Sequence, residues 1–327
     1  MFRKTWKTIK FFIAIGILLI VIPHSILPHQ AEDINKGKID EYVKLNNIEK
    51  RLQEYADDKD ALVLKLKQLD IINNSRKKNN SPAVKLDILA SRVANKMSRE
   101  AADNKFTGHW NLEGEKPYHR YAAAGGYDHV SENAFGEWTT GKYSITPTAI
   151  TAMMKSGHGS FMSERSPADG HKRNVIDKSH NYVGIGYCLS DTQFRYYEEF
   201  IDRYLEFDSI PRVVKRDNSF TIDIKTTPGV YLYTLIAYRD KLPENMTASQ
   251  ISRRNSYNDF TDEISLTIDP WDLAPMRKSN VYKIPLSFDK PGLYYINIFI
   301  DNKEIASPST MDTKGKIQAS GVVIRAI

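Results

Sequence analysis

Apolar positions along residues 61–101 fall at helical spacing in two blocks. In the first, Leu62, Leu64, Leu66, Leu69, Ile71 and Ile72 gather within Ala61–Asn73. Asp60, a residue type that caps helix N-termini, precedes them, and the polar stretch 73–82 is expected to end the helix. In the second block, Leu86, Leu89, Val93 and Met97 recur at three- and four-residue steps with Ala90, Ala94 and Ala101 beside them. That stripe predicts an amphipathic helix ending near Lys105. A looser rhythm over residues 32–60, carried by Ile39, Tyr42, Val43, Leu45 and Ile48, predicts a helical spacer ahead of both. Pro147–Met162 reads as a further helix, with Thr146 as cap and proline at the first helical position. Tyr182–Leu189 and Gln193–Phe207 are β-type runs separated by Ser190-Asp191-Thr192, a hairpin signal.

Past Pro211 the pattern changes to short strands and turns. The runs are Ser219–Thr226, Val230–Tyr238, Asp262–Ile268, Asn280–Phe288, Leu293–Asp301 and Gly321–Ala326. Alternation is clearest from Tyr294 to Ile300, entered through Lys290-Pro291-Gly292. This spacing predicts an antiparallel, Ig-like β-sandwich over residues 209–327. Between the helices, residues 106–141 are rich in Gly, Tyr and His, the composition of ordered loops that carry sites.

Length and composition narrow the class. At 327 residues the chain has room for two domains, and 41% hydrophobic with 26% charged residues excludes wholesale disorder and a multi-span membrane protein. The net charge of +6 falls to +2 without the first 31 residues, so a basic nucleic-acid surface is not expected. Those residues place Arg3, Lys4, Lys7 and Lys10 before the apolar run Phe11–Ile22. They read as a signal peptide or an uncleaved membrane anchor, with the body of the protein outside the cytoplasm. The single cysteine, Cys188, forms no internal disulfide and reads as a buried strand residue.

Four local signals carry the candidate chemistry. They are Phe106-Thr107-Gly108-His109-Trp110-Asn111, Ser131-Glu132-Asn133-Ala134, the segment from Ser166 to Ile176 (SPADGHKRNVI), and the strand Val183-Gly184-Ile185-Gly186. In this order, behind helices ending in INNSRKKNNSPAVKLD and LASRVANKMSREAADNKFTGHW, they resemble the bacterial type of the CAP superfamily, the SCP/PR-1-like secreted domain. The resemblance covers residues 61–208, departing from the family pattern at Ser131, where relatives carry Gly, and at the inserted Ala168-Asp169. The stretch from Ser156 to Phe161 is also unusual.

The resemblance implies an α+β fold, a CAP-type α-β-α sandwich, with an open cleft lined by two His and one or two Glu. Carried over residue by residue, the first His is His109, the Glu is Glu132 and the second His is His171, with His158 as a substitute ligand. The second acidic member has no assigned counterpart, and Glu164 stands too near His171 in sequence to take that place. Trp110, Ser131, Asn133, Asn174 and Tyr127 are expected to line the cleft. Two imidazoles and a carboxylate suit zinc or another divalent cation, and no organic cofactor is expected. The same groups also suit a hydrogen-bonded cluster that orders the loops. Three functions follow: a binding module for a cell-envelope lipid, peptide or glycan; a metal-dependent hydrolase with Glu132 as general base; and an architectural surface protein using the sandwich for adhesion. His119, His129 and His180 read as surface or capping residues.

Overall fold

A computed structural model describes residues 36–208, 210–254, 256–257 and 263–327. The expected signal peptide or anchor lies outside the described residues. Among the described residues no helix is long and apolar enough to cross a membrane.

Helix α1 (Lys36–Ile48) falls within the stretch 32–60 expected to be helical. It packs on the body, with Tyr42 buried, and its last turn is tied down by Arg92, which donates to the Asn46 and Arg51 carbonyls at 2.7 and 2.6 Å. Helix α2 (Lys59–Lys78) begins two residues earlier than expected: Asp58, not Asp60, is the N-cap and accepts from the Ala61 N–H. It also runs past the expected end at Asn73 and stops at Lys78, inside the polar stretch expected to break it. Arg76 explains this, because its buried guanidinium donates to the carbonyls of Pro82, Val175 and His180 at 2.6–3.0 Å and holds the last turn against the neighbouring loops. Then come β1 (Lys85–Leu86), α3 (Ile88–Asp103), α4 (Pro117–Ala123) and β2 (His129–Trp138). After them stand α5 (Pro147–Ser163, capped by Thr146 as expected), α6 (Gly170–Ile176), β3 (Tyr182–Leu189) and β4 (Gln193–Asp202).

The first sheet has the order β1-β3-β4-β2, with β1 parallel to β3 and the other pairs antiparallel. Helix α3 lies on one face, and α2, α5 and α6 cover the other, giving the expected α-β-α sandwich. Gly184 and Gly186 explain the close approach of α3. A Cβ at either position would stand 2.2–2.5 Å from Ala90 or Ala94 of the helix, so only glycine lets helix and sheet meet at this distance. Cys188 lies near the end of β3, where it is partly exposed, not buried as expected, and its thiol is raised by burial and by Asp103.

The second part begins where the first sheet ends. The run expected as one strand to Phe207 breaks at Arg203-Tyr204, and β5 (Leu205–Phe207) joins a different sheet. The chain continues through β6 (Val213–Val214), β7 (Phe220–Thr226), β8 (Tyr231–Asp240), α7 (Ala248–Ile251), β9 (Ile264–Ile268) and α8 (Pro270–Leu273). It closes with β10 (Arg277–Lys278), β11 (Val281–Leu286), β12 (Gly292–Asp301), β13 (Ile317–Gln318) and β14 (Val322–Ala326). One sheet is ordered β10-β11-β7-β5 and the other β6-β14-β12-β8-β9, with β13 on β12. Ile222, Ile224, Tyr282 and Ile284 of the first share a single apolar core with Leu235, Tyr294, Ile296, Ile298 and Ile324 of the second.

The outer face of the larger sheet does not face water. Leu293 and Tyr295 of β12 pack with Leu89, Val93, Tyr118, Tyr121 and Val130 of the first part. Residues 34–327 accordingly group as one compact unit.

Candidate functional site

The edge strand β2 organises the site. Its register pairs Glu132 with Glu199 and Asn133 with Glu198 of β4, and strand alternation sends the two pairs to opposite faces of the sheet. On the α3 and α4 side, Glu132 is fully buried. His109, just beyond α3, donates Nδ1–H to Glu132 Oε1 at 2.8 Å. Arg120 of α4 pairs with the other carboxylate oxygen, lies 3.8 Å from Glu199 Oε1, and donates to the His109 carbonyl at 2.6 Å. Burial pushes Glu132 up to about 7, against the opposing pull of Arg120. Burial, together with the charge of Glu132, raises Glu199 well above the usual carboxylate range. Burial and the Arg120 charge lower His109 to about 4, which keeps its ring neutral.

His171, on α6, meets this group from the other side of the strand. Its ring centre is 6.1 Å from that of His109. Glu164 accepts from His171 Nδ1–H and from its backbone N–H at 2.9 Å. Both imidazoles therefore spend Nδ1 on a carboxylate. Neither Nε2 makes a hydrogen bond among the described residues.

Both oxygens of Glu132 are engaged, so it orients His109 and has none free for a metal or for general-base work. His158 does not join the pair. It is buried between α5 and the sheet, with Nδ1 on Glu198 Oε1 at 2.8 Å and Nε2 on Ser75 Oγ at 2.9 Å, so no ring nitrogen is left over. Although burial opposes it, the charge of Glu198 raises this imidazole. Among the described residues no three His, Cys, Asp or Glu side chains converge as a ligand set.

The expected cleft residues separate. Ser131, Asn133 and Asn174 form a hydrogen-bonded chain behind the strand: Ser131 Oγ donates to Asn174 Oδ1 at 2.6 Å, and Asn174 Nδ2 to Asn133 Oδ1 at 2.9 Å. Asn133 in turn holds the His171 carbonyl at 3.1 Å. His180, expected at the surface, is buried and shares Asp202 with His129 at 2.7 and 2.8 Å. Tyr127 stands away from the histidine pair, against Phe207, on a groove of about 760 Å³. Trp110 is buried with Nε1 donating to the Ser256 carbonyl, and it borders an open groove of about 640 Å³.

The connection between β8 and β9 supplies a part that sequence reasoning missed. Its Ile251 is buried with Met97, Phe106, Trp110 and Tyr197, and the Met246 N–H donates to the Leu112 carbonyl at 2.7 Å. Tyr257 Oη accepts from the Glu132 N–H at 2.7 Å on the free edge of β2, with its ring 4.7 Å from that of His109. No local signal at Tyr257 marks it. Glu198 and Glu199 do carry one, two adjacent acids inside an otherwise apolar β-run. Arg120 and Glu164 become meaningful only through their partners.

The description "CAP: Cysteine-rich secretory protein family" belongs to a family model that matches residues 69–200. No curated protein matches the chain. Among solved structures, the chain is similar to an extracellular SCP-domain protein of Bacillus anthracis (19% identity, TM-score 0.33), over 42% of this chain and 40% of that one. It is similar to an outer surface protein of Borrelia burgdorferi at 18% identity and TM-score 0.33, covering 44% and 92%. A cysteine-rich secretory protein of Staphylococcus aureus matches at 14% identity and TM-score 0.27, covering 48% and 41%.

Proposed function

We propose that residues 69–200, which match the model of the cysteine-rich secretory protein family, form a CAP domain, and that the chain is a binding module working outside the cytoplasm. Its centre is a divalent-cation site made by His109 and His171. One observation carries this reading: each ring gives Nδ1 to a carboxylate and leaves Nε2 unbonded among the described residues, with the ring centres 6.1 Å apart. Two imidazoles on one tetrahedral zinc through Nε2 bonds of about 2.0–2.1 Å put their ring centres roughly 5 Å apart, about an ångström closer than the 6.1 Å between these rings. A carboxylate on the far nitrogen is the arrangement that fixes ring orientation and tautomer in such sites. Glu132 and Glu164 take that supporting part, and the neutral His109 ring needs no proton loss before it can ligate.

The protein supplies two ligands, so water or a group of the bound envelope component completes the shell. When bound, the cation supplies a Lewis-acidic anchor for an oxygen of that component. Arg120 and Glu132 keep His109 aimed, while Glu164 holds both the ring and the backbone of His171. Tyr257 covers the strand edge beside the pair, which shields the Glu132 backbone from solvent.

The test is calorimetric titration of zinc chloride into the full chain, purified through EDTA and desalted. One binding site is expected, abolished by His109→Ala and by His171→Ala and weakened about 10–100-fold by Glu164→Gln. Zinc binding that survives both histidine changes, or no binding at all, removes this reading.

A further inference from the structure

We propose that the cavity between the CAP domain and the sandwich binds a single uncharged sugar ring. Tyr118 and His129 line it from the CAP side, Tyr295, Asn297 and Gln318 from the sandwich, and Tyr257 from the β8–β9 connection. Its volume is about 140 Å³, far above the roughly 10–15 Å³ that holds one water.

Strand β12 shows why the site is built for a ligand. Tyr294, Ile296, Ile298 and Ile300 fill the sandwich core, while Leu293 and Tyr295 on the other face meet the CAP domain. Asn297 is the next residue in that outer row, and it is polar. It is 5% exposed, and its side-chain amide makes no hydrogen bond among the described residues. An amide that lines the cavity and bonds no protein group is free to exchange hydrogen bonds with a group that the chain does not supply. His129 gives Nδ1 to Asp202 and likewise leaves Nε2 unbonded among the described residues.

The lining selects the chemistry of that group. Among the described residues no Lys, Arg, Asp or Glu lines it, so those residues offer a charged ligand no compensation for its lost water. Three tyrosine rings wall the space, Tyr118 standing edge-on to Tyr295 at 5.2 Å and 6.4 Å from Tyr257. Aromatic faces beside an amide and an imidazole suit a ring with C–H faces and hydroxyl edges. An alkyl chain would leave Asn297 unpaired, and the volume does not admit an extended peptide.

The cavity is separate from the histidine pair, although Tyr257 borders both, so the experiment is run in EDTA and stands whether or not a cation binds. Saturation-transfer NMR on the full chain uses the methyl β-glycosides of glucose, galactose and N-acetylglucosamine, with methyl glucuronide as the charged control. Saturation of at least one neutral glycoside and none of the glucuronide is expected. Asn297→Leu is expected to weaken that binding about tenfold or more, the loss of one good hydrogen bond. Should that variant fail to fold, Gln318→Ala is read in its place for a loss of the same sign. No saturation of any neutral glycoside, equal saturation of the glucuronide, or undiminished binding in the folded variant overturns the proposal and leaves the cavity to water.

Discussion

Arg120 is the residue on which the buried acids depend. Its guanidinium faces Glu132 and Glu199 and holds the carbonyls of His109 and Glu115. Removing the cation leaves carboxylate charge buried without compensation, so Arg120→Met is expected to lose about 3–5 kcal/mol in urea unfolding at pH 7. Glu199→Gln should behave differently. Burial and the Glu132 charge raise Glu199 and so disfavour its anion, the amide is a neutral group of the same shape, and a loss within about 1 kcal/mol is expected by the same measurement. A loss as large as that of Arg120→Met would mean that Glu199 is ionised. Asp202 has the opposite sign. Hydrogen bonds from His129 and His180 outweigh burial and hold its carboxyl well below the usual range. A depressed carboxyl contributes stability above its unfolded value near 3.9, and that stability is lost as the pH falls below it. Asp202→Asn is therefore expected to lose about 1.5–3 kcal/mol at pH 7, with a deficit that narrows below about pH 4 in unfolding titrations.

Elements add a constraint that single residues do not show. Helix α3 touches the sheet through Ala90 and Ala94 over Gly184 and Gly186, where a methyl group would come within 2.5 Å of helix atoms. Gly186→Ala must push the helix outward along its length, and a loss of about 1–3 kcal/mol in urea unfolding is expected, with more at full overpacking. The apolar stripe of α3 was legible because Leu89, Val93 and Met97 recur at helical steps, and sandwich runs such as Phe220–Thr226 and Val281–Leu286 were legible because buried and more exposed positions alternate in them. The end of α2 was not, since the Asn-rich stretch is polar and only the tertiary bonds of Arg76 hold it helical. The break at Arg203 was hidden for a related reason: β-propensity is the same on both sides, and Arg203 leaves the strand to reach Asp87 and Asp128. At the site, His109, Glu132 and His171 stood out by the company each keeps in sequence. Their supports did not, because Glu199 reaches Glu132 through strand register and Tyr257 from 125 residues away.

At the scale of the molecule, the two parts share structure that neither can satisfy alone. Strand β4 passes into β5 across two residues, so a shift of one sheet pulls on the other. Leu293 and Tyr295 close the apolar cluster over Leu89, Tyr118 and Val130, and Ile251 closes the one over Met97 and Tyr197. The Gly321 N–H donates to the Tyr127 carbonyl, at a contact where a Cβ would stand 2.6 Å from the Asp128 oxygen. Contacts of this kind make the unfolding of either part expose apolar surface on the other, which couples their equilibria. The full chain is therefore expected to melt in one calorimetric transition whose van't Hoff and calorimetric enthalpies agree. A fragment ending at residue 208 would uncover Leu89, Tyr118, Met97 and the free edge of β2 together. It should melt at lower temperature than the full chain and bind a hydrophobic dye, because an uncovered edge strand beside an apolar patch is a template for association. Two resolved transitions in the full chain, with the fragment matching the midpoint of one of them, would show instead that the first part folds without the sandwich, and the cover that Tyr257 gives the histidine pair would then be dispensable to the fold.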